Sequence, residues 1–92
     1  MTNEPSAADL FTAAVGDRVR EWREALGQSR TELADSANIS VGHLGKIERG
    51  RVVANIAIVH AIASALGASA CELLDVEGEE LGLAARDVEK IT

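Results

Sequence analysis

The sequence predicts an all-α protein. Three observations carry that expectation. Pro5 is the single proline in 92 residues. β-branched residues never alternate with polar ones for long, so no strand pattern builds up. Finally, Ser or Asn start signals recur along the chain, each followed by a Gly or Asn stop. At 92 residues, 47% hydrophobic and 26% charged, the chain reads as one ordinary globular domain with a single core. Its aromatics are Phe11 and Trp22 alone, so that core must be aliphatic.

The first helix is expected to open at Ser6, with Asp9 three residues on completing a capping-box-like start after Pro5. Phe11, Val15, Val19, Trp22 and Leu26 then keep a spacing of three to four, the stripe of a buried helix face, and Gly27 ends it. Ser29-Arg30-Thr31-Glu32 is a full capping box for a short second helix, over 29–36, with Leu33 and Ala34 inward. Ala37-Asn38-Ile39 forms a break, and Asn38 suits a left-handed turn position.

The third helix, over 40–49, lies within NISVGHLGKIERG. Ser40 is a good N-cap, Gly50 a good residue past the end, and Leu44 and Ile47 form the inner stripe. Gly42 and Gly45 interrupt it, each at a cost of about 1 kcal/mol relative to alanine. Asn55 caps a fourth helix that Gly67 closes, and Ser69 with Glu72 boxes a fifth, with Leu73 and Leu74 inward. Beyond Gly78, Leu81, Ala84, Val88 and Ile91 are spaced as a short heptad-like stripe, which packs either on its own domain or on a second chain.

Composition also excludes functions. Cys71 is the single cysteine, so neither an intramolecular disulfide nor a cysteine metal cluster can form. The two histidines have no such cluster beside them, and no metal or cofactor is expected. No paired-carboxylate, Ser-His-Asp or phosphate-loop pattern has supporting context, so no enzyme is expected. The N-terminal stretch lacks the basic and apolar regions of a signal peptide, and no apolar run approaches the ~18 residues of a membrane span. A cytoplasmic protein is expected.

Net charge is −6, which alone argues against a nucleic-acid binder. The distribution of charge along the chain argues the other way. Glu4, Asp9 and Asp17 give residues 1–17 a net −3, and residues 52–92 carry a net −5. Residues 18–51 carry seven Arg or Lys against five acids, a net +2. A basic centre between acidic flanks is compatible with one surface facing phosphate.

Two short helices joined by a tight turn form a helix-turn-helix pattern. Residues 15–74 resemble the phage-repressor and Cro-like (XRE) helix-turn-helix domain. The matching strings are V-G-D-R-V-R-E-W-R (15–23), S-R-T-E-L-A (29–34), N-I-S (38–40), I-E-R-G (47–50) and A-S-A-L-G-A-S-A-C-E-L-L (63–74). The resemblance implies a five-helix, lambda-repressor-like bundle that binds double-stranded operator DNA, usually as a dimer. Residues 1–14 then extend the first helix, 29–49 form the helix-turn-helix, and 75–92 are an acidic segment with a short helix.

In this geometry the second helix of the motif lies in the major groove with its N-terminal residues toward the bases. That implicates Ser40, Val41, Gly42, His43 and Lys46. His43 and Lys46 suit purine edges, and Val41 a thymine methyl. Gly42 and Gly45 either let the backbone approach the groove closely or are tolerated on an exposed face. Ser29 and Arg30 open the first helix of the motif, where Arg30 stands in place of the family's usual glutamine and suits a phosphate clamp. Arg49 and Arg51 are further phosphate candidates. Family members often carry more basic residues after I-E-R-G, and each phosphate contact missing here flattens the salt dependence by roughly 0.9 log unit. The resemblance also implies that Arg23 pairs with Glu48 as a structural ion pair.

The fourth helix, NIAIVHAIASAL, is unusually apolar. Val59, Ile62, Ala63 and Leu66 suit the core, which leaves Val52, Val53, Ile56 and Ile58 over. The resemblance implies dimerisation through this half of the chain, so these four are the expected homodimer interface. The leading functional expectation is a sequence-specific transcriptional regulator, a repressor on a palindromic site. The alternatives are an antitoxin-like protein whose acidic C-terminal half binds a basic partner protein, and a pure protein-binding module.

Overall fold

The computed structural model describes residues 4–76. They form α1 (Ala7–Ala25), α2 (Arg30–Ala37), α3 (Val41–Glu48), α4 (Ile56–Ala65) and α5 (Ala70–Leu74), with no strand among the described residues. The all-α expectation holds, and the starts follow from local chemistry. Ser6, Ser29, Ser40, Asn55 and Ser69 each keep an extended backbone and accept the amide three residues on. Asp9, Glu32 and Glu72 return the bond to the cap amide, so all three boxes close.

The ends are equally local. After α3 the Gly50 amide donates to the Ile47 carbonyl at 3.0 Å and the Arg51 amide to Lys46 at 2.9 Å. This crossed pair of bonds requires a left-handed residue, and Gly50 supplies it at φ 70°. Asn38 does the same after α2, with φ 58° and ψ 44°. Its turn runs one residue later than expected, because Ala37 completes α2 and is buried there.

The helices enclose one aliphatic core. Leu33, Leu44, Ile62, Leu73 and Val19 are its largest fully buried side chains. α1 packs on α3 and α5, α2 on α3 and α4, and α4 on α5. Gly16 allows a close approach of α1 and α3. A Cβ built there would collide with the Ile47 carbonyl oxygen and lie 3.1 Å from that of Glu48. Since both obstacles are backbone, the C-terminal end of α3 can rest on α1 only over a residue without a side chain.

Two expectations need correction, and a third lies beyond the described residues. The α1 stripe buries Val15 and Val19, but its ends stand out: Phe11 is 37% and Leu26 55% exposed. Leu26 is the C-cap residue, where the apolar period continues but the packing covers it only in part. Val52 and Ile58 are half-buried against the core rather than left over. Only Val53, 81% exposed, and Ile56, 85% exposed, remain as outward apolar residues of that quartet. The expected stripe Leu81, Ala84, Val88 and Ile91, and with it the short C-terminal helix, lies outside the described residues.

Candidate nucleic-acid interface

The centre of the helix-turn-helix is one buried carboxylate. Glu48, the last residue of α3, accepts from Arg23 Nε at 2.7 Å and from Arg23 Nη2 at 3.1 Å. Both residues are buried, so the expected pair exists with the bidentate geometry that favours a guanidinium. Arg23 Nη1 also donates to the Gln28 carbonyl at 2.9 Å, tying the loop between α1 and α2 to the same point. The hydrogen bond to Glu48 raises the Arg23 pKa above its ordinary value against the opposing effect of burial. Arg23 therefore stays charged at any pH the fold meets.

A third group joins this pair. Arg30 Nε donates to Glu48 Oε1 at 3.0 Å, across 18 residues of sequence. Its side chain remains 46% exposed while that of Glu48 is 1% exposed. The carboxylate thus joins α1, α2 and α3. Nothing in the spacing of the sequence signals this bond, because Arg30 and Glu48 meet only once α2 has packed on α3.

Around this anchor the expected contact residues divide. Gly42, Lys46 and Arg49 are spaced four and three apart, so they share a helix face opposite the buried Leu44 and Ile47. Val41 is exposed beside them. Ser40 spends its oxygen on the His43 amide at 3.0 Å, and Ser29 spends its own on the Glu32 amide at 3.1 Å. Each hydroxyl keeps its proton to donate outward. Arg51 is exposed just past the end of α3.

Two residues differ from expectation. His43 is only partly exposed, and its Nε2 is buried without a hydrogen-bond partner among the described residues. Gly45 is buried rather than on an open face: a Cβ there would lie 3.2 Å from Arg49 Nη1. The guanidinium of Arg49 folds back over Gly45, which serves as its seat. Gly42, by contrast, has nothing within 4 Å of a built Cβ.

The arrangement is a short helix held by its core side and, at its C-terminal end, by Glu48, with a solvent-facing stripe of small and basic residues. Residues 14–84 match the family described as helix-turn-helix domain. The chain belongs to the helix-turn-helix family. The transcriptional regulator ClgR of Mycobacterium tuberculosis is 36% identical over 74 residues, which are 80% of this chain and 66% of that protein. The chain therefore spans just under two thirds of the length of that relative. Among solved structures, the restriction-modification controller protein C.AhdI of Aeromonas hydrophila superposes with a TM-score of 0.66 at 33% identity, covering 72% of this chain and 97% of that one. The clp gene regulator ClgR of Corynebacterium glutamicum gives 0.73 at 29% identity over 88% of each chain. Both likenesses extend over most of this helix-turn-helix chain, and the motif at 29–49 falls inside the family match.

Proposed function

We propose that this helix-turn-helix protein is a sequence-specific transcriptional regulator, a repressor that binds a near-palindromic operator in double-stranded DNA as a homodimer. The observation that supports the reading best is the outward face of α3. Gly42, Lys46 and Arg49 line it, while Glu48 at its end is anchored to α1 and α2. A rigidly held helix with a small, cationic outer stripe suits the major groove. Ser29, Arg30, Arg49 and Arg51 are the phosphate-contacting residues, and Ser40, Val41, Gly42, His43 and Lys46 the base-facing ones. The naming of ClgR as a transcriptional regulator favours the same class.

Val53 and Ile56, both exposed, form the centre of the dimer face, with Val52 and Ile58 at its base. Exposed apolar pairs of this kind mark interfaces. Two protomers would read half-sites about 34 Å apart.

The test is capture of genomic DNA fragments, followed by anisotropy titration of the recovered site at two salt concentrations. A short near-palindrome bound at about nanomolar levels is the expected result. Weak, sequence-indifferent binding abolished by salt would overturn it in favour of a protein partner.

A further inference from the structure

Resting on the DNA-binding reading above, we propose that Glu48 is a positioning residue that holds Arg30 poised for a DNA phosphate before DNA arrives. Exposure and bonding point the same way. Arg30 is 46% exposed, yet its Nε is fixed on a carboxylate that is itself 1% exposed and gripped by Arg23. A free surface arginine samples many rotamers, and binding must order it. Here one edge of the guanidinium is already anchored, while its terminal nitrogens make no other hydrogen bond among the described residues. The planar fork separates two anions: carboxylate on the Nε side, phosphate on the terminal nitrogens.

The bond also couples phosphate to the reading helix. Glu48 ends α3, so a phosphate seated on Arg30 is connected through one carboxylate to the helix that lies in the groove. Arg30 is therefore more than one positive charge among several. Its shape matters, and lysine cannot substitute for it. An ammonium would crowd carboxylate and phosphate oxygens around a single nitrogen, with no rigid plane to keep them apart.

The experiment titrates the full chain against a fluorescein-labelled random-sequence duplex long enough for two half-sites, over a series of salt concentrations. Arg30→Lys keeps the charge, so the salt slope should stay at the wild-type value. Its affinity should nevertheless fall roughly fivefold, the cost of ordering a long side chain that was ordered before. Arg30→Ala should lose affinity and also flatten the slope by roughly 0.9. Arg20→Lys is the control and should bind like wild type. Arg20 is as exposed as Arg30, at 46%, but its partner is the exposed Asp17 on its own helix, not a buried carboxylate shared between helices.

Glu48→Gln supplies a test by sign. Removing a negative charge near a polyanion strengthens binding if Glu48 acts only through its field. Positioning requires the opposite, a loss of affinity that disappears in the Arg30→Ala background. Thermal melts establish that each variant is folded. Should Glu48→Gln fail to fold, Arg30→Lys decides alone. Arg30→Lys binding as tightly as wild type, or a folded Glu48→Gln binding more tightly, overturns the proposal. Failure of the wild-type protein itself to bind any duplex overturns the DNA-binding reading instead.

Discussion

Gly42 and Gly45 lie three apart on one helix, yet their surroundings differ completely. Gly42 faces open space, so Gly42→Ala should stabilise the fold by about 1 kcal/mol in urea unfolding. If the missing side chain serves close approach to the groove, the same variant binds operator DNA less tightly; unchanged binding would leave Gly42 a tolerated surface residue. Gly45 seats the Arg49 guanidinium, and a methyl there needs only a flexible side chain to move. Gly16 is the opposite case. Its missing Cβ is replaced by the backbone of Ile47 and Glu48, which cannot give way. Gly16→Ala should cost about 1–3 kcal/mol by overpacking, read as a lower urea midpoint. A midpoint equal to wild type would refute the close approach.

The helices themselves are bounded by interactions of three or four residues. α2 shows the chemistry most clearly. The Ser29 amide donates to Glu32 Oε1 at 2.9 Å, and Glu32 returns its own amide to the Ser29 hydroxyl. The backbone bond from Ser29, with a smaller effect of its side chain, holds the Glu32 carboxyl below its ordinary value. A carboxyl depressed in the folded state stabilises fully above its unfolded pKa of about 4.3. That contribution is lost as pH falls through the lower folded value. The melting temperature of Glu32→Gln should therefore lie below wild type at neutral pH and converge with it in acid. A gap that persists at low pH would contradict the capping assignment. Because α2 carries Arg30 and the turn into α3, the loss of this cap should loosen the α2–α3 half first.

Across the molecule, the shared carboxylate sets an asymmetry. Glu48→Ala leaves the buried Arg23 without its partner and should cost about 3–5 kcal/mol, a large part of the roughly 5–15 kcal/mol that holds a small domain. Arg23→Ala leaves Glu48 still paired with Arg30 and should cost less. Equal losses in thermal or urea unfolding would mean that Arg30 gives Glu48 no support. Elsewhere on the surface, Phe11 borders Val52, Val53 and Leu74 around a shallow apolar groove of about 70 Å³. Val53→Glu with Ile56→Glu changes two exposed residues, so the fold should survive, and the proposed homodimer predicts a sedimentation shift from dimer to monomer. A sedimentation coefficient that does not change would overturn the proposed dimer face.

The helices, their starts and ends, and the core face of α4 were legible in the amino-acid order, because capping and turn chemistry act within a few residues of chain. Ser6, Ser29, Ser40, Asn55 and Ser69 each read as caps, and Asn38 as a left-handed turn, without knowledge of any neighbour. The Arg23–Glu48 pair came into view only through resemblance to a family. Other features exist only once the helices have packed. Arg30 reaches Glu48 across two packed helices, Gly16 meets a carbonyl of α3, and Arg49 folds over Gly45 instead of standing free. Leu26 keeps the apolar period but is covered only in part. Periodicity reports which face of a helix turns inward; only packing determines where that face ends and which charges meet beneath it.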